Sequence, residues 1–132
     1  TALERGEMVT AIELPIPDRA YGAAYTRLTR RRGTDLASIT LCCGVDGDGN
    51  TRLAYGSVGP RAFLVTDDSG VLADPNVSIE DKAEALDAMF HLASPSLKSL
   101  RASPDYRLAM LRVLGARALE TAIGRLTKEL VR

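Results

Sequence analysis

The chain has 132 residues, a length typical of one domain, and 45% of them are hydrophobic, which is enough to build one buried core. Its 17 basic residues balance its 17 acidic residues, so the net charge provides no long-range attraction to nucleic acid or to an anionic membrane surface. No apolar stretch approaches the roughly 20 residues that span a bilayer, and the first residues lack the pattern of a signal peptide, so we expect a cytoplasmic protein.

The first predicted element is a strand that ends before two prolines. Apolar or β-branched side chains alternate along it, at Met8, Thr10, Ile12 and Leu14. Pro15 and Pro17 make its continuation as a central strand unfavourable. Because the chain opens on Thr1 rather than on Met and leads directly into this segment, we expect it to be part of a longer protein.

Three more strands are predicted next, the last two of them joined in a hairpin. A second strand covers Ala23–Leu28 and is followed by a charged turn at Arg30–Asp35. Leu36–Val45 is nearly all small, apolar or β-branched, which favours a strand buried on both faces over a short buried helix that turns into one. Asp46–Asn50 is dense in turn-forming residues and should reverse the chain into a further strand over Thr51–Val58.

The only two cysteines are adjacent, at Cys42 and Cys43. This spacing fits neither a disulfide framework nor a C-x-x-C metal or redox pair. We therefore predict that both are core thiols in a reducing compartment.

The hairpin turn also resembles the start of a calcium loop. Carboxylate and amide oxygens at Asp46, Asp48 and Asn50 could converge on a hard cation. The remaining pattern fails, because Thr51 stands where the loop needs Gly and Ser57 where it needs a bidentate Glu. We interpret the segment as a hairpin turn.

Two further reversals, at Asp67–Gly70 and Asp74–Asn76, precede a change to helical spacing. Ser78 is predicted to cap a helix that ends at Pro95. Apolar residues recur along it every three or four positions, at Ile79, Ala83, Leu86, Phe90 and Ala93. His91 lies on the same helix, and because the chain has no second His, a structural or solvent-facing role is favoured over metal binding.

A last helix is predicted from three agreeing signals, with Ser103 as N-cap, Pro104 at the first helical position and Asp105 in the first turn. Its apolar stripe consists of Leu108, Leu111, Leu114, Ala118, Ala122 and Leu126. A flanking set widens this face for packing on both a sheet and another helix, and consists of Ala109, Val113, Ala116, Ile123 and Leu130. Strands over residues 7–66 and helices over residues 78–130 predict one α+β domain across residues 1–132.

Motifs for self-contained chemistry are missing. The sequence has no G-x-S-x-G, no glycine-rich phosphate loop and no dinucleotide fingerprint. It has no Trp and one His, which argues against a base-stacking platform and a histidine-centred active site.

The strongest candidate site is the arginine turn, Arg30–Asp35. Together with Arg27 it places four guanidinium groups within six positions, ahead of the Asp35 carboxylate. A solvated turn and a loop that faces an anionic cofactor or a partner both stay open. Arginine suits the second role because it stays charged, pairs with phosphate or carboxylate through a planar fork, and can stack on a ring system such as flavin.

The residues around this turn, Tyr25–Ala37, resemble a segment of the flavin-carrying subunits of molybdenum hydroxylases, the carbon monoxide dehydrogenase and xanthine dehydrogenase superfamily. That segment contains a Tyr, a Lys, an Arg pair and an acidic–apolar–Ala run. Three more segments are similar to the family in the same order, namely Leu3–Pro15, Tyr55–Arg61 and Ser103–Arg107. Arg27 replaces the family's Lys, Thr34 stands where many members have Asp, and Ser99 occupies an expected acidic position.

The resemblance implies that the chain is the C-terminal domain of such a subunit, an α+β sandwich of a three- to four-stranded antiparallel sheet covered by about three helices. It implies FAD, held mostly by the preceding N-terminal FAD-binding domain, which receives electrons from 2Fe-2S clusters and passes them to an acceptor. The implied partners are a large subunit with the molybdenum cofactor and a small iron–sulfur subunit.

The resemblance also assigns roles within the chain. It places the loop Arg27–Leu36 beside the isoalloxazine and implies no catalytic or metal-binding residue, so the isolated domain is expected to be inactive. The implied cofactor-binding residues are Arg27, Arg31, Thr34, Asp35 and Leu36. The alternative is a non-catalytic interaction module that docks an acidic partner through the arginine turn.

Overall fold

The computed structural model describes residues 3–131, so Thr1 lies outside the described part, and it shows an α+β architecture. One antiparallel sheet has four strands in sequential order, and two helices follow it in the chain. The elements are β1 (Tyr21–Leu28), β2 (Ile39–Asp46), β3 (Thr51–Gly56), β4 (Phe63–Asp67), α1 (Ala83–Ala88) and α2 (Pro104–Leu130). The fold class and the antiparallel sheet are confirmed, with two helices in residues 3–131 where the resemblance implies about three.

The sheet has one buried face and one exposed face. In the buried row, Ala24 pairs with Cys43, which in turn pairs with Leu53, and all three side chains lie in the core. In the neighbouring row, Tyr25 pairs with Cys42, and both are exposed. This alternation follows from the pleat of the strands, which points successive side chains to opposite faces.

Helix α2 covers the buried face along β1 and β2. It begins as predicted, since the Ser103 hydroxyl accepts a hydrogen bond from the Tyr106 N–H (3.3 Å) and Pro104 occupies the first turn. The predicted stripe is buried from Leu111 to Leu126, with Leu108 only half-buried. The predicted flanking set is partly wrong, because Ala109, Val113 and Leu130 are exposed and the face widens instead through Arg107, Gly115 and Leu119.

The predicted first strand is not formed. Residues 8–18 have no regular secondary structure and pair with none of the four strands, although the predicted alternation is present in the sequence. A strand needs a neighbour to satisfy its backbone groups, and the described residues offer it none.

The predicted helix after Ser78 is shorter than expected, since only Ala83–Ala88 is α-helical. Ser78 does begin a turn, because its hydroxyl accepts the Asp81 N–H (3.1 Å) and its carbonyl accepts the Lys82 N–H. Beyond the end of α1 the turns close between residues three apart rather than four, as in the bond from the Phe90 N–H to the Asp87 carbonyl. The predicted apolar face is correct in part, because Leu86 and Phe90 are buried and Ile79 and Ala93 are half-buried, whereas Ala83 is exposed.

The prediction of two core thiols is half wrong. Cys43 is fully buried, whereas Cys42 lies on the exposed face of β2. Adjacent residues of a strand cannot share a face, so the pair is split between core and surface. Burial, with a smaller contribution from Cys42, raises the pKa of the Cys43 thiol to about 12.

We expect a thiol reagent at about pH 8 to modify Cys42 quickly and Cys43 only on unfolding, because the reactive thiolate of Cys43 is both inaccessible and disfavoured. A colorimetric thiol titration, with and without denaturant, measures this. The variant Cys42→Ser should lose the fast phase alone. Two equally fast thiols in the native protein would contradict the assignment.

Candidate functional site

The candidate site is built on the loop between β1 and β2, which contains the arginine turn. Its two ends are joined by the sheet, because Leu28 at the end of β1 pairs with Ile39 at the start of β2, and the Ser38 N–H donates to the Leu28 carbonyl (2.7 Å). Gly33 lies in this loop with φ of +93°, a conformation that glycine adopts without strain. The ends of the loop are thus fixed by the sheet, and its tip is shaped by its own residues.

Asp35 organises the backbone of the arginine turn. One carboxylate oxygen accepts the N–H groups of Arg30 and Arg31 (3.2 Å each), and the other accepts the Leu36 N–H (2.9 Å). The guanidinium groups of Arg30 and Arg31 lie 4.0 and 3.9 Å from the carboxylate. Only 5% of the Asp35 side chain is exposed. Its negative charge is therefore offset within the turn rather than presented to a ligand.

The surroundings of Asp35 lower its pKa. Desolvation alone raises the pKa, but it is outweighed by the Leu36 N–H, the charges of Arg31 and Arg30, and the Arg30 N–H, so the pKa falls below the ordinary 3.8. A depressed pKa means that the carboxylate orders the turn at neutral pH and stops doing so only as the pH falls through that lowered value. The Asp35 carboxylate is thus charged, and able to accept these hydrogen bonds, across the physiological pH range.

A groove of about 810 Å³ separates the arginine turn from a second loop that follows α1. Its walls are Arg30, Arg31, Thr34, Asp35 and Leu36 on one side and Lys98, Ser99, Leu100 and Arg101 on the other. We call it the cationic groove, because it carries four cations and a single, internally engaged carboxylate. Sequence reasoning missed Lys98 and Arg101, whose only signal was a pair of basic residues shortly after Pro95.

Arg107 holds the second wall of the cationic groove in place. It is 5% exposed, and it donates to the Ser57 carbonyl (2.7 Å) and to the Ser99 hydroxyl. The same hydroxyl accepts the Arg101 N–H (3.4 Å). Arg107 thus joins α2, the connection after β3 and the loop that carries Lys98 and Arg101.

The structure brings four of the five predicted site residues together. Arg31, Thr34, Asp35 and Leu36 line the cationic groove, and the Leu36 side chain is 64% exposed. Arg27 does not line it. It lies on β1 opposite Thr40, exposed on the same sheet face as Tyr25.

The other polar positions noted in the sequence have local structural roles. Asp46 accepts hydrogen bonds from the backbone N–H groups of Asp48 (3.1 Å) and Asn50 (3.0 Å), which confirms the hairpin turn. His91 is exposed, as predicted, with Nδ1 2.9 Å from the Ala88 carbonyl. Residues 3–131 contain no group of three or more His, Cys, Asp or Glu placed to hold a metal ion. Over the same residues, neither helix has the length and apolarity to cross a membrane.

Comparisons with known proteins give a consistent result. Residues 23–122 match the family model of the CO dehydrogenase flavoprotein C-terminal domain. The chain is 31% identical over 140 residues to the carbon monoxide dehydrogenase medium chain of Afipia carboxidovorans, an alignment that covers 95% of this chain and 44% of the relative. The chain thus spans less than half the length of that relative.

Solved structures show the same likeness. A reconstituted CO dehydrogenase from Oligotropha carboxidovorans superposes with a TM-score of 0.68 at 25% identity, covering 95% of this chain and 44% of the other. A carbon monoxide dehydrogenase from Hydrogenophaga pseudoflava that lacks the Mo-pyranopterin moiety superposes with a TM-score of 0.65 at 25% identity, and the match covers 85% of this chain and 40% of the other. Quinoline 2-oxidoreductase from Pseudomonas putida 86 shares the fold at 22% identity with a TM-score of 0.63, and the match covers 84% of this chain and 39% of the other.

Proposed function

Because this chain belongs to the CO dehydrogenase flavoprotein C-terminal domain family, we propose that it forms the C-terminal part of an FAD-carrying subunit of a molybdenum-dependent oxidoreductase. In such a complex, electrons pass from 2Fe-2S clusters to FAD and then to an acceptor. The partners are a preceding FAD-binding domain, a large subunit with the molybdenum cofactor and a small iron–sulfur subunit. The isolated chain is expected to be inactive.

The observation that carries this proposal is the ordered, outward-facing arginine turn. Three backbone N–H groups bind the Asp35 carboxylate, so the turn has one defined shape before any ligand arrives. This shape presents the apolar Leu36 side chain and the Thr34 hydroxyl at the surface. An exposed apolar side chain on a fixed loop suits contact with a planar ring at a domain boundary, because no ordering cost is paid on binding.

Bound FAD would supply the redox chemistry, and the chain would supply charge and shape around it. Arg27 is the cation best suited to act on the flavin. It makes no ion pair with the described residues, whereas Arg30 and Arg31 share the Asp35 carboxylate. An unpaired cation stabilises a negative charge on a reduced ring, so Arg27 would favour reduction. The Asp35 charge, being offset, would have a smaller influence.

We expect Arg27→Gln in the longer flavoprotein subunit to lower the flavin midpoint potential by an amount equivalent to about 1–2 kcal/mol, since it removes one uncompensated charge. Spectroelectrochemical titration measures the potential, and stopped-flow reoxidation measures the rate. The matched control is Arg117→Gln, which removes the same charge from an exposed residue of α2, on the opposite side of the sheet from Arg27.

An unchanged potential and reoxidation rate in Arg27→Gln, or equal shifts in both variants, would contradict the role of Arg27. A longer subunit that contains this chain but shows no flavin absorbance would contradict the whole proposal.

A second candidate function is a non-catalytic module that docks an acidic partner. Lys98 and Arg101 favour it, since they add two cations on the far wall of the cationic groove. Cationic side chains on both walls of a groove can pair with the carboxylate side chains of a partner segment that lies in it. The two candidates differ in flavin absorbance of the longer protein, which only the first requires.

A further inference from the structure

Another cavity, of about 760 Å³, lies between the C-terminal half of α2 and the segment that precedes α1. The apolar residues on the side of that segment are Pro75, Val77 and Ile79, and Ile123 lies on the helix side. None of the residues that line the cationic groove lines this cavity, so the two are separate. We call it the lysine pocket, because Lys82 also lines it.

Lys82 places a buried cation in the lysine pocket. Only 2% of the residue is exposed, and its ammonium donates to the Asp74 carbonyl, which uses one of its three N–H groups. Burial lowers the pKa of Lys82, and the Asp74 charge only partly offsets this effect. The Asp74 carboxylate is itself engaged in a turn, where Oδ1 accepts the backbone N–H (2.8 Å) and the side-chain amide (3.0 Å) of Asn76.

The charge of Lys82 therefore calls for an anionic partner. A buried ammonium that lacks a close carboxylate costs free energy, and an anion beside it would offset that cost. The other charged residues of the lysine pocket are Glu120 and Lys128, which are exposed and opposite in sign. Their charges offset each other, so the buried Lys82 gives the lysine pocket its net positive charge.

Gly124 leaves the helix side of the lysine pocket open. It lies in the interior of α2, where glycine is about 1 kcal/mol less favourable than alanine. A Cβ at Gly124 would meet no atom within 4 Å, whereas a Cβ at Gly115 of the same helix would lie 2.5 Å from the Phe90 ring. Close packing within residues 3–131 thus accounts for Gly115 but not for Gly124. A side chain at position 124 would instead enter the lysine pocket.

We propose that the lysine pocket binds a small molecule that has one carboxylate and an apolar chain or ring. The carboxylate pairs with the Lys82 ammonium, and the apolar part lies between Ile79 and Ile123. A mostly apolar cavity with few polar groups, which fix the orientation of the ligand, is the usual design of a small-molecule site. The inference goes beyond the proposed function, because it requires neither flavin nor a partner subunit.

Octanoate and the uncharged octanamide test the inference by isothermal titration calorimetry. The chain buries a hydrophobic core of its own, so binding can be measured on it directly. We expect octanoate to bind at least about tenfold more tightly than octanamide, because a charge-assisted hydrogen bond is stronger than a neutral one. Equal affinities, or an octanoate Kd above about 10 mM, would overturn the inference.

Substitutions of the two lysines test which cation holds the carboxylate. Lys82→Met keeps most of the apolar stem and should reduce the affinity for octanoate to that for octanamide, without changing octanamide binding. Lys128→Met is the matched control, because it removes the same charge from an exposed position of the lysine pocket. It should change octanoate affinity by less than about threefold, since exposed charges interact weakly. Equal losses in both variants would contradict the role of Lys82.

Filling the lysine pocket tests the location of the site. Gly124→Leu should weaken the binding of both probes by at least about tenfold, because the new side chain occupies their space. Thr121→Leu is the matched control, since it adds a leucine at an exposed position of α2 outside the lysine pocket and should leave both affinities unchanged. Circular dichroism verifies that both variants are folded. Unchanged binding in Gly124→Leu would overturn the inference.

The longer flavoprotein subunit distinguishes a small molecule from a protein segment as the occupant. Octanoate should bind to the longer subunit with an affinity within about threefold of that of the isolated chain, because a small-molecule site stays accessible there. Loss of octanoate binding in the longer subunit would overturn the inference in favour of a protein segment that covers the lysine pocket.

Discussion

Gly22→Ala is expected to lower the free energy of unfolding by about 3 kcal/mol, although it adds a single methyl group. A Cβ at Gly22 would lie 2.0 Å from the Ala122 carbonyl oxygen and 2.6 Å from the Leu126 backbone nitrogen. Both atoms belong to the backbone of α2, so no side chain can rotate to relieve the clash. The whole helix would have to move away from β1, which is its largest contact with the sheet. Urea denaturation followed by circular dichroism measures the change.

Gly124→Ala is the control, because it adds the same methyl group at an open position of α2, the helix that Gly22 of β1 contacts. A Cβ at Gly124 meets no atom within 4 Å and the residue is helical, so alanine should stabilise the protein by about 1 kcal/mol through its higher helix propensity. The two substitutions are chemically identical and are expected to have opposite signs. A similar loss of stability in both would show that close packing of α2 on β1 is not the reason for glycine at position 22.

The elements that sequence reasoning predicted well are those whose signals are local. The hairpin at Asp46–Asn50 is encoded by turn residues whose side chains bond to their own backbone, as the Asp46 carboxylate does. The start of α2 is encoded in the same way by Ser103 and Pro104. Such signals need no tertiary partner, so they can be read from a few consecutive residues.

The features that were mispredicted or missed depend on contacts between residues far apart in the chain. The predicted strand from Met8 to Leu14 has the alternating pattern but pairs with no strand in residues 3–131, so the pattern alone could not give its structure. The second wall of the cationic groove depends on Arg107, whose bond to the Ser57 carbonyl joins residues 50 positions apart. Lys98 and Arg101 could not be placed beside the arginine turn without that contact.

Arg107→Ala is expected to lower the free energy of unfolding by about 3 kcal/mol, because it leaves a cavity where the buried side chain packs, whereas relief of the buried charge offsets the two hydrogen bonds that it removes. The Ser99 hydroxyl would lose its donor, so the loop bearing Lys98 and Arg101 should loosen. Denaturation measures the stability, and hydrogen exchange at the Arg101 amide, which donates to that hydroxyl, measures the loop.

Arg107→Met separates volume from charge at the same position. The guanidinium is buried, its Nε has no partner, and within residues 3–131 it forms no salt bridge with a carboxylate. Burying such a charge is costly, so a methionine of similar volume should leave stability within about 1 kcal/mol of the wild type. The Arg101 amide should still exchange faster, because the bond to Ser99 is lost in both variants. If methionine were as destabilising as alanine, the hydrogen bonds would outweigh the cost of desolvation. If the Arg101 amide exchanged at the wild-type rate in both variants, Arg107 would have no part in holding the groove wall.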